Sequence, residues 1–210
     1  MNLTDVVEGL PTLELAPGGV VHAADLNGAA LVLVADGLVV QRSSIPGSSR
    51  RTITCHAGEG ALVLPPENGD SLAALTAAAV VPISAAARDR LLESPVAARL
   101  LVDGLAETLR QKQAAVASLS RLHHVDRVRE KLLELAREHG RVGRDGIRLD
   151  FPLTHDLLGE MTGSARETVT RALDELQRQG FVQRRGRTYS VCVSPEELVL
   201  NGRPRSGLSA

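Results

Sequence analysis

The most regular spacing of apolar positions lies in residues 153–191, LTHDLLGEMTGSARETVTRALDELQRQGFVQRRGRTYSV. The spacing predicts a short helix, a turn at Gly163 and a second helix over residues 164–179. A glycine turn at Gly186 between two β-prone runs predicts a hairpin after the second helix. The second helix has one apolar face, made of Val169, Ala172, Leu173 and Leu176.

Both ends of the second helix carry recognisable signals. Ser164 and Glu167 have the spacing of a capping box, in which each side chain accepts a hydrogen bond from a free backbone N–H. Gly180 follows the last apolar position and supplies the stop.

The N-terminal part shows a different pattern. Between residues 10 and 83, short apolar or alternating runs are separated by Gly, Pro and Ser. Many short strands at this spacing predict a small barrel or jelly roll. The predicted strands cover residues 13–15, 29–34, 37–41, 51–55, 61–64 and 72–83.

Helical spacing predominates after residue 83. A short helix is predicted over residues 88–94, and Ser94-Pro95 begins a long one that ends near residue 122. Its apolar positions step by three and four, which favours a parallel two-fold dimer with a second copy. Packing against the chain's own β-domain is the alternative. The seam consists of Val102, Leu105, Leu109, Lys112, Val116 and Leu119.

The pattern divides the chain into a β-domain at 1–94, a dimerisation helix at 95–122, a helix-turn-helix domain at 123–194 and a disordered tail at 195–210. Residues 122–125 are the expected hinge. A helix over 125–139, a charged loop over 140–146 and a strand over 147–151 precede the helix-turn-helix. The fold class is therefore α+β.

Charge separates the two halves of the chain. The formal net charge of the whole chain is only −1. Residues 1–100 carry 6 basic and 10 acidic side chains, a net of −4, and residues 101–210 carry 18 and 15, a net of +3. We expect the positive half to face a polyanion and the negative half to stand away from it.

Composition excludes several classes of protein. Two cysteines, Cys55 and Cys192, supply neither a disulfide framework nor the four thiolates of an iron–sulfur cluster. Residues 1–19 lack the pattern of a signal peptide, and no run approaches the roughly 20 apolar residues of a membrane span. We expect a cytoplasmic protein without a membrane partner. No nucleophile triad, phosphate loop or paired-carboxylate motif indicates an enzyme.

The arginine cluster around the second helix suits double-stranded DNA. From Arg166 to Arg187 the sequence holds six Arg and three acids. An α-helix fits the major groove, where Arg donates to guanine and Glu accepts from cytosine. We therefore expect Arg166, Arg171 and Glu167 to read bases. Alternatively, Glu167 only caps the helix, the hairpin arginines form a solvated turn, or the motif binds protein.

The run GSARETVTRALDELQRQG, with the preceding LTHDLLGEMTG, resembles the helix-turn-helix of the cyclic-AMP receptor/fumarate-nitrate regulator (CRP/FNR) family. The resemblance implies a winged helix-turn-helix, a homodimer and palindromic TGTGA-like half-sites. It also implies an N-terminal β-roll of the cyclic-nucleotide-binding type. The expected DNA-contacting set is Ser164, Arg166, Glu167, Thr168, Thr170, Arg171, Arg184, Arg185 and Arg187.

The β-domain departs from the family at the phosphate-binding cassette. The family's Gly-Glu pair falls near Leu62-Val63, and its Arg-Ser pair falls in Asp70-Ser71-Leu72, where no Arg is present. Cyclic AMP in its usual pose is therefore not expected, since a phosphate beside Asp70 lacks a compensating cation. The candidate effector-binding residues are Asp70, Ser71, Lys112 and Gln113.

The effector itself is unknown, and a nucleotide second messenger is one candidate. Lys112 is either an anion partner or a polar residue that sets helix register. A strand-borne Cys55-His56 pair is more typical of a structural role than of a haem or metal site. Two rival functions are a constitutive DNA binder that has lost its ligand and a module that contacts RNA polymerase.

Overall fold

A computed structural model describes residues 2–44, 47, 50–67, 69–119, 123–144 and 146–200. It divides into two compact units, Met1–Ser120 (unit 1) and Arg121–Ala210 (unit 2). The expected hinge at 122–125 lies partly outside the described residues, and so do residues 201–210 of the expected tail. Among the described residues, no helix combines the length and apolarity needed to cross a bilayer.

Unit 1 is a β-roll with helices at both ends of its sequence. It begins with helix α1 (Leu3–Val6) and contains a 3-10 turn at Ala23–Leu26. Its strands are β1 (Leu13–Leu15), β2 (Val20–Val21), β3 (Leu31–Asp36), β4 (Val39–Ser44), β5 (Arg51–Ala57), β6 (Leu62–Val63), β7 (Ser71–Ala74) and β8 (Ala78–Ile83). Helices α2 (Ala85–Leu92) and α3 (Pro95–Leu119) follow.

The strands form two four-stranded antiparallel sheets, ordered β1-β8-β3-β6 and β2-β7-β4-β5. Alternate residues of β3 point to opposite faces, as strand geometry requires. Val32 and Val34 join the core between the sheets, whereas Leu31 and Leu33 pack with residues of α1, α2 and α3. The predicted continuous apolar run is thus explained by a strand buried on both faces.

Helix α3 packs closely on the β-roll. A Cβ atom on Gly104 would lie 2.9 Å from Leu62 Cδ1 and 3.2 Å from Leu3 Cδ1, so the helix approaches β6 where it has no side chain. Thr108 is buried and its hydroxyl donates to the Leu62 carbonyl, and Leu101 is buried one turn before Gly104. This face of α3 is therefore fixed within unit 1.

Unit 2 holds three helices, a four-stranded sheet and a last short helix. The helices are α4 (His124–His139), α5 (His155–Thr162) and α6 (Arg166–Arg178). The sheet, ordered β11-β12-β10-β9, comprises β9 (Arg141–Gly143), β10 (Gly146–Leu149), β11 (Val182–Arg185) and β12 (Thr188–Val191). Helix α7 (Pro195–Leu200) ends the described chain. The fold class predicted from the sequence, α+β with a β-roll, a long helix and a winged helix-turn-helix, is confirmed.

Several predicted boundaries are wrong in detail. Residues 195–200 form α7 with Leu198 buried, rather than belonging to a disordered tail. The expected loop at 140–146 contains β9, which pairs with β10. Helix α2 begins at Ala85 instead of residue 88, because the Ser84 side chain accepts a hydrogen bond from the Ala87 N–H and caps it there.

Candidate DNA interface

The turn between α5 and α6 is tight and depends on two glycines. Gly163 ends α5 with a left-handed φ of 62°, a conformation that glycine adopts at low cost. A Cβ atom on Gly159 would lie 2.7 Å from the Ser164 carbonyl oxygen, so α5 and the turn meet without space for a side chain. The structure confirms the turn predicted at Gly163.

The predicted capping box at the start of α6 is wrong. The N-cap is Ala165, whose methyl group cannot accept a hydrogen bond, and the helix begins at Arg166 rather than at residue 164. Ser164 is buried in the turn instead, where its hydroxyl donates to the Thr162 carbonyl and accepts from Arg127 Nη2 of α4, each at 3.4 Å. Because it serves the turn, Ser164 does not form the reciprocal pair with Glu167.

Helix α6 has a buried and an exposed face. Val169, Ala172, Leu173 and Leu176 are buried, as the apolar periodicity predicts. Arg166, Glu167 and Arg171 are exposed on the other side, and Thr168 and Thr170 are half-buried. Arg171 Nε donates to the Glu167 carbonyl at 3.4 Å, and Arg166 lies 3.6 Å from the exposed Asp156 carboxylate. These are weak contacts that leave the side chains available to a ligand.

The hairpin β11–β12 carries the other expected cations. Arg184, Arg185 and Arg187 are exposed around the turn at Gly186, which has a φ of 63°. Arg184 Nε donates to the Gly186 carbonyl at 2.9 Å, and the Thr188 hydroxyl donates to the Arg185 carbonyl at the same distance. Tyr189, Ser190 and Val191 of β12 are all buried, so the hairpin is anchored by its second strand.

One contact network escaped sequence reasoning. His155, the first residue of α5, lies within hydrogen-bond distance of Thr170 on α6 and of Tyr189 on β12. Burial lowers the pKa of His155, with further lowering from Arg184 and Arg166. Burial also raises the pKa of Tyr189. No periodicity or motif marks these residues, because the partners of His155 lie 15 and 34 positions away.

The expected effector residues make separate contacts within unit 1. The Asp70 carboxylate accepts from the Ser43 hydroxyl at 2.8 Å and from the Ser44 N–H at 3.1 Å. Lys112 Nζ donates to the buried Gln41 side-chain oxygen at 3.3 Å. Ser71 is buried in β7 and Gln113 is exposed on α3. Cys55 and His56 are buried in β5, and the Cys55 thiol donates to Gln111 Oε1 at 3.5 Å.

Comparison with known proteins identifies unit 2 most clearly. The family model of the Crp-like helix-turn-helix domain matches residues 126–199. A global nitrogen regulator of Synechococcus elongatus is 33% identical over 92 residues, which cover 44% of this chain and 41% of that protein. A CRP-like cAMP-activated global transcriptional regulator of Mycobacterium tuberculosis is 30% identical over 112 residues, or 53% and 49% of the two chains. The chain thus spans about half or less of the length of these relatives.

Among solved structures, a CooA mutant from Carboxydothermus hydrogenoformans superposes with a TM-score of 0.75 and 16% identity, covering 96% of this chain and 95% of that one. At that identity the likeness concerns the fold, and it extends over the β-roll as well as the helix-turn-helix. The match to residues 126–199 and the curated relatives place the helix-turn-helix domain of this chain with the Crp-like domains of the CRP/FNR family.

Proposed function

We propose that this chain is a homodimeric, sequence-specific DNA-binding transcription regulator. The observation that carries the proposal is the exposed face of α6, where Arg166, Glu167 and Arg171 lie opposite a fully buried apolar face. Such a helix fits the major groove with its N-terminal residues toward the base edges. The match to the Crp-like helix-turn-helix domain over the same residues supports this interpretation.

Within this function, we assign base reading to three residues. Arg166 and Arg171 donate to guanine O6 and N7, and the carboxylate of Glu167, which forms no capping box, accepts from cytosine N4. Arginines on the hairpin contact phosphates, which give affinity without sequence choice. The half-sites are TGTGA-like, as the resemblance of the Arg-Glu-Thr-Val-Thr-Arg run implies.

Helix α3 provides the argument for a dimer. Val102, Leu109 and Val116 are 62%, 57% and 70% exposed, although they recur at the spacing of a coiled-coil seam. Leu105 and Lys112 on the same seam are half-buried, while the side chain of Leu119 lies outside the described residues. An exposed apolar seam on a helix whose other face is already packed favours a second copy of the same helix.

A two-fold axis through this helix determines the form of the DNA site. Two copies of α6 enter successive major grooves about one turn of DNA apart, roughly 34 Å. The site is therefore a palindrome whose half-site spacing is set by the dimer.

Control by an effector other than cyclic AMP in its usual pose is also part of the proposal. By the resemblance, the family's Arg-Ser pair falls in Asp70-Ser71-Leu72. The Asp70 carboxylate accepts hydrogen bonds from Ser43 and Ser44, so a cyclic phosphate beside it would meet a negative charge. Lys112 on α3 supplies a cation that is hydrogen-bonded to the β-roll through Gln41. Calorimetry with cyclic AMP, cyclic GMP and cyclic di-GMP tests this part, and a constitutive binder shows no saturable effect on DNA affinity.

Selection of bound fragments from genomic DNA, followed by footprinting, tests the proposed function. We expect a palindrome with two protected half-sites one turn apart, and an Arg166→Ala/Arg171→Ala double variant that no longer enriches it. Arg178→Ala is the matched control, since Arg178 is an exposed arginine in the last turn of α6, paired with Glu175. Fragments without a palindrome, or no bound DNA, would overturn the proposal.

A further inference from the structure

His155 of α5 connects the two elements that would face DNA, which are α6 and the hairpin β11–β12. It begins α5, its Nδ1 lies 2.8 Å from the Thr170 hydroxyl on α6, and its Nε2 lies 3.2 Å from the Tyr189 hydroxyl on β12. The Thr170 hydroxyl in turn lies 3.0 Å from the Arg166 carbonyl. These contacts link the N-terminal turn of α6, which carries the proposed base-reading side chains, to the strand that anchors the hairpin.

The direction of each proton in this chain of contacts follows from the available donors. Thr170 has one hydroxyl proton, and the Arg166 carbonyl can only accept, so Thr170 donates to Arg166 and accepts from His155. The imidazole therefore carries its proton on Nδ1. Nε2 is then a bare acceptor, and the Tyr189 hydroxyl donates to it. The neutral Nδ1–H tautomer satisfies every hydrogen bond in the series, whereas the neutral Nε2–H tautomer has no proton on Nδ1 to donate to Thr170.

We propose that neutral His155 is a positioning residue that fixes the hairpin β11–β12 relative to α6, and that Thr170 and Tyr189 act through it. This inference rests on the proposed function, since the geometry it maintains is that of α6 and the hairpin arginines on DNA. It also changes the expected role of Thr170 from a DNA contact to a partner of His155.

The surrounding charges favour the neutral form. Burial lowers the pKa of His155 first, and the cations of Arg184 on β11 and Arg166 on α6 lower it further. Asp174 on α6 and Asp156 on α5 oppose this shift. Burial of Tyr189 raises the pKa of its phenol, so that it keeps the proton it donates.

Protonation of the imidazole disrupts the series at one bond. With a proton on Nε2, histidine becomes a donor to the Tyr189 oxygen, and the tyrosine proton loses its acceptor in a side chain that is only 2% exposed. A buried donor without a partner is unfavourable, so the hairpin must shift relative to α5. The expected consequence is a loss of sequence selectivity below the pH at which His155 is neutral.

The tautomer is tested on the free full-length protein by long-range ¹H–¹⁵N NMR of the histidine rings. We expect His155 in the Nδ1–H form, retained in Thr170→Ser and lost in Thr170→Val. Tyr189→Phe should keep this tautomer, because Thr170 still accepts from Nδ1–H, but should shift the Nε2 resonance, which loses its hydrogen-bond donor. The exposed His123 provides the reference ring. An Nε2–H tautomer for His155, or a spectrum unchanged by Thr170→Val and Tyr189→Phe, overturns the inference.

The positioning role is tested by a pH profile of selectivity. The ratio of affinities for the selected palindrome and for a random duplex cancels the general effect of charge on DNA binding. We expect this ratio to fall several-fold in the wild type and in His123→Gln as the pH is lowered from neutral through the depressed pKa of His155, and to stay flat in His155→Gln. Equal profiles in the wild type and His155→Gln overturn the positioning role. If no duplex is preferred, the proposed function is contradicted instead. The two failures can be distinguished, because the tautomer of His155 is measured without DNA.

Discussion

Helices α3 and α6 each bury one face within their own unit, but their exposed faces differ in polarity. Each buries one face in its own unit: α3 through Leu101, Gly104 and Thr108 against the β-roll, and α6 through a stripe centred on Leu173. The remaining face of α3 is apolar, with Val116 70% exposed. The remaining face of α6 is charged, with Arg166, Glu167 and Arg171 on its surface.

The difference indicates what each free face binds. An apolar face gains free energy when it leaves water, so that of α3 favours another apolar surface of matching length. A charged face loses solvation when it is buried without compensation, so that of α6 favours a polyanion with hydrogen-bonding edges. In the proposed function, α3 therefore sets the spacing of the two helix-turn-helix domains, and α6 determines which DNA sequence they select.

The largest effect is expected from placing a charge on the free face of α3. Val116→Asp puts a carboxylate in the apolar seam of both copies, where like charges meet. If the dimer dissociates, the two half-sites are no longer bound by linked modules. Affinity for the palindrome then falls by about 10²–10⁴-fold, the gain that such linkage provides. Sedimentation velocity and a mobility shift measure the two effects.

A matched control tests whether the position matters rather than the added charge. Val142 in β9 is 73% exposed, close to the exposure of Val116, but lies in unit 2. Val142→Asp should leave the oligomeric state unchanged. A Val116→Asp protein that stays dimeric would show that α3 is not the seam.

On α6 the effect expected in each half-site is smaller and depends on the DNA sequence. Arg171→Ala removes one bidentate contact to guanine in each half-site, which costs about 1–3 kcal/mol per contact and relaxes the choice of base there. Affinity measurements on the palindrome and on duplexes substituted at one position give both values.

The exposed Arg178, in the last turn of the same helix, provides the control for the loss of one positive charge. Arg178→Ala removes an equal charge without removing a proposed base contact. Equal losses for Arg171→Ala on every duplex would assign that residue to phosphate instead of base contact.

Local signals explain why the helix-turn-helix could be predicted from the sequence. The apolar spacing of α6 and the left-handed glycine at 163 depend only on residues within a few positions. The capping box failed because Ser164 is held by Arg127, 37 positions earlier in the sequence. A side chain that satisfies a local pattern can still be used by a tertiary contact, and the sequence pattern does not distinguish the two.

The β-roll shows the other limit of prediction. Its strands follow from apolar runs. Gly104, by contrast, has a low helix propensity, yet α3 requires it because Leu62 and Leu3 approach the helix there. Short elements such as β9 and α7 lack a periodic signal, because three and six residues are too few to show a repeating apolar pattern. Likewise, nothing local to His155 indicates that it joins α6 to the hairpin.

The buried face of α3 allows a smaller, structural prediction. Thr108→Val keeps the shape of the side chain but removes the hydroxyl that donates to the Leu62 carbonyl. We expect the free energy of unfolding to fall by about 1 kcal/mol, the typical net contribution of such a bond. Denaturant unfolding measures this, with Thr108→Ser as the variant that retains the donor. A midpoint for Thr108→Val equal to that of the wild type would show that the hydroxyl does not anchor α3.

The smallest effect is expected at the hairpin. It distinguishes residues that raise affinity for any DNA from residues that select a base sequence. Arg187 is exposed beside the turn at Gly186, and its proposed partner is a phosphate. Arg187→Ala should therefore weaken binding to the palindrome and to a random duplex by the same factor. It should also reduce the slope of log affinity against log salt by about 1 for each phosphate that the arginine no longer neutralises. Titrations at several salt concentrations separate the two quantities. A weakening confined to the palindrome with an unchanged slope would make Arg187 a base reader, and the division of labour between α6 and the hairpin would then be wrong.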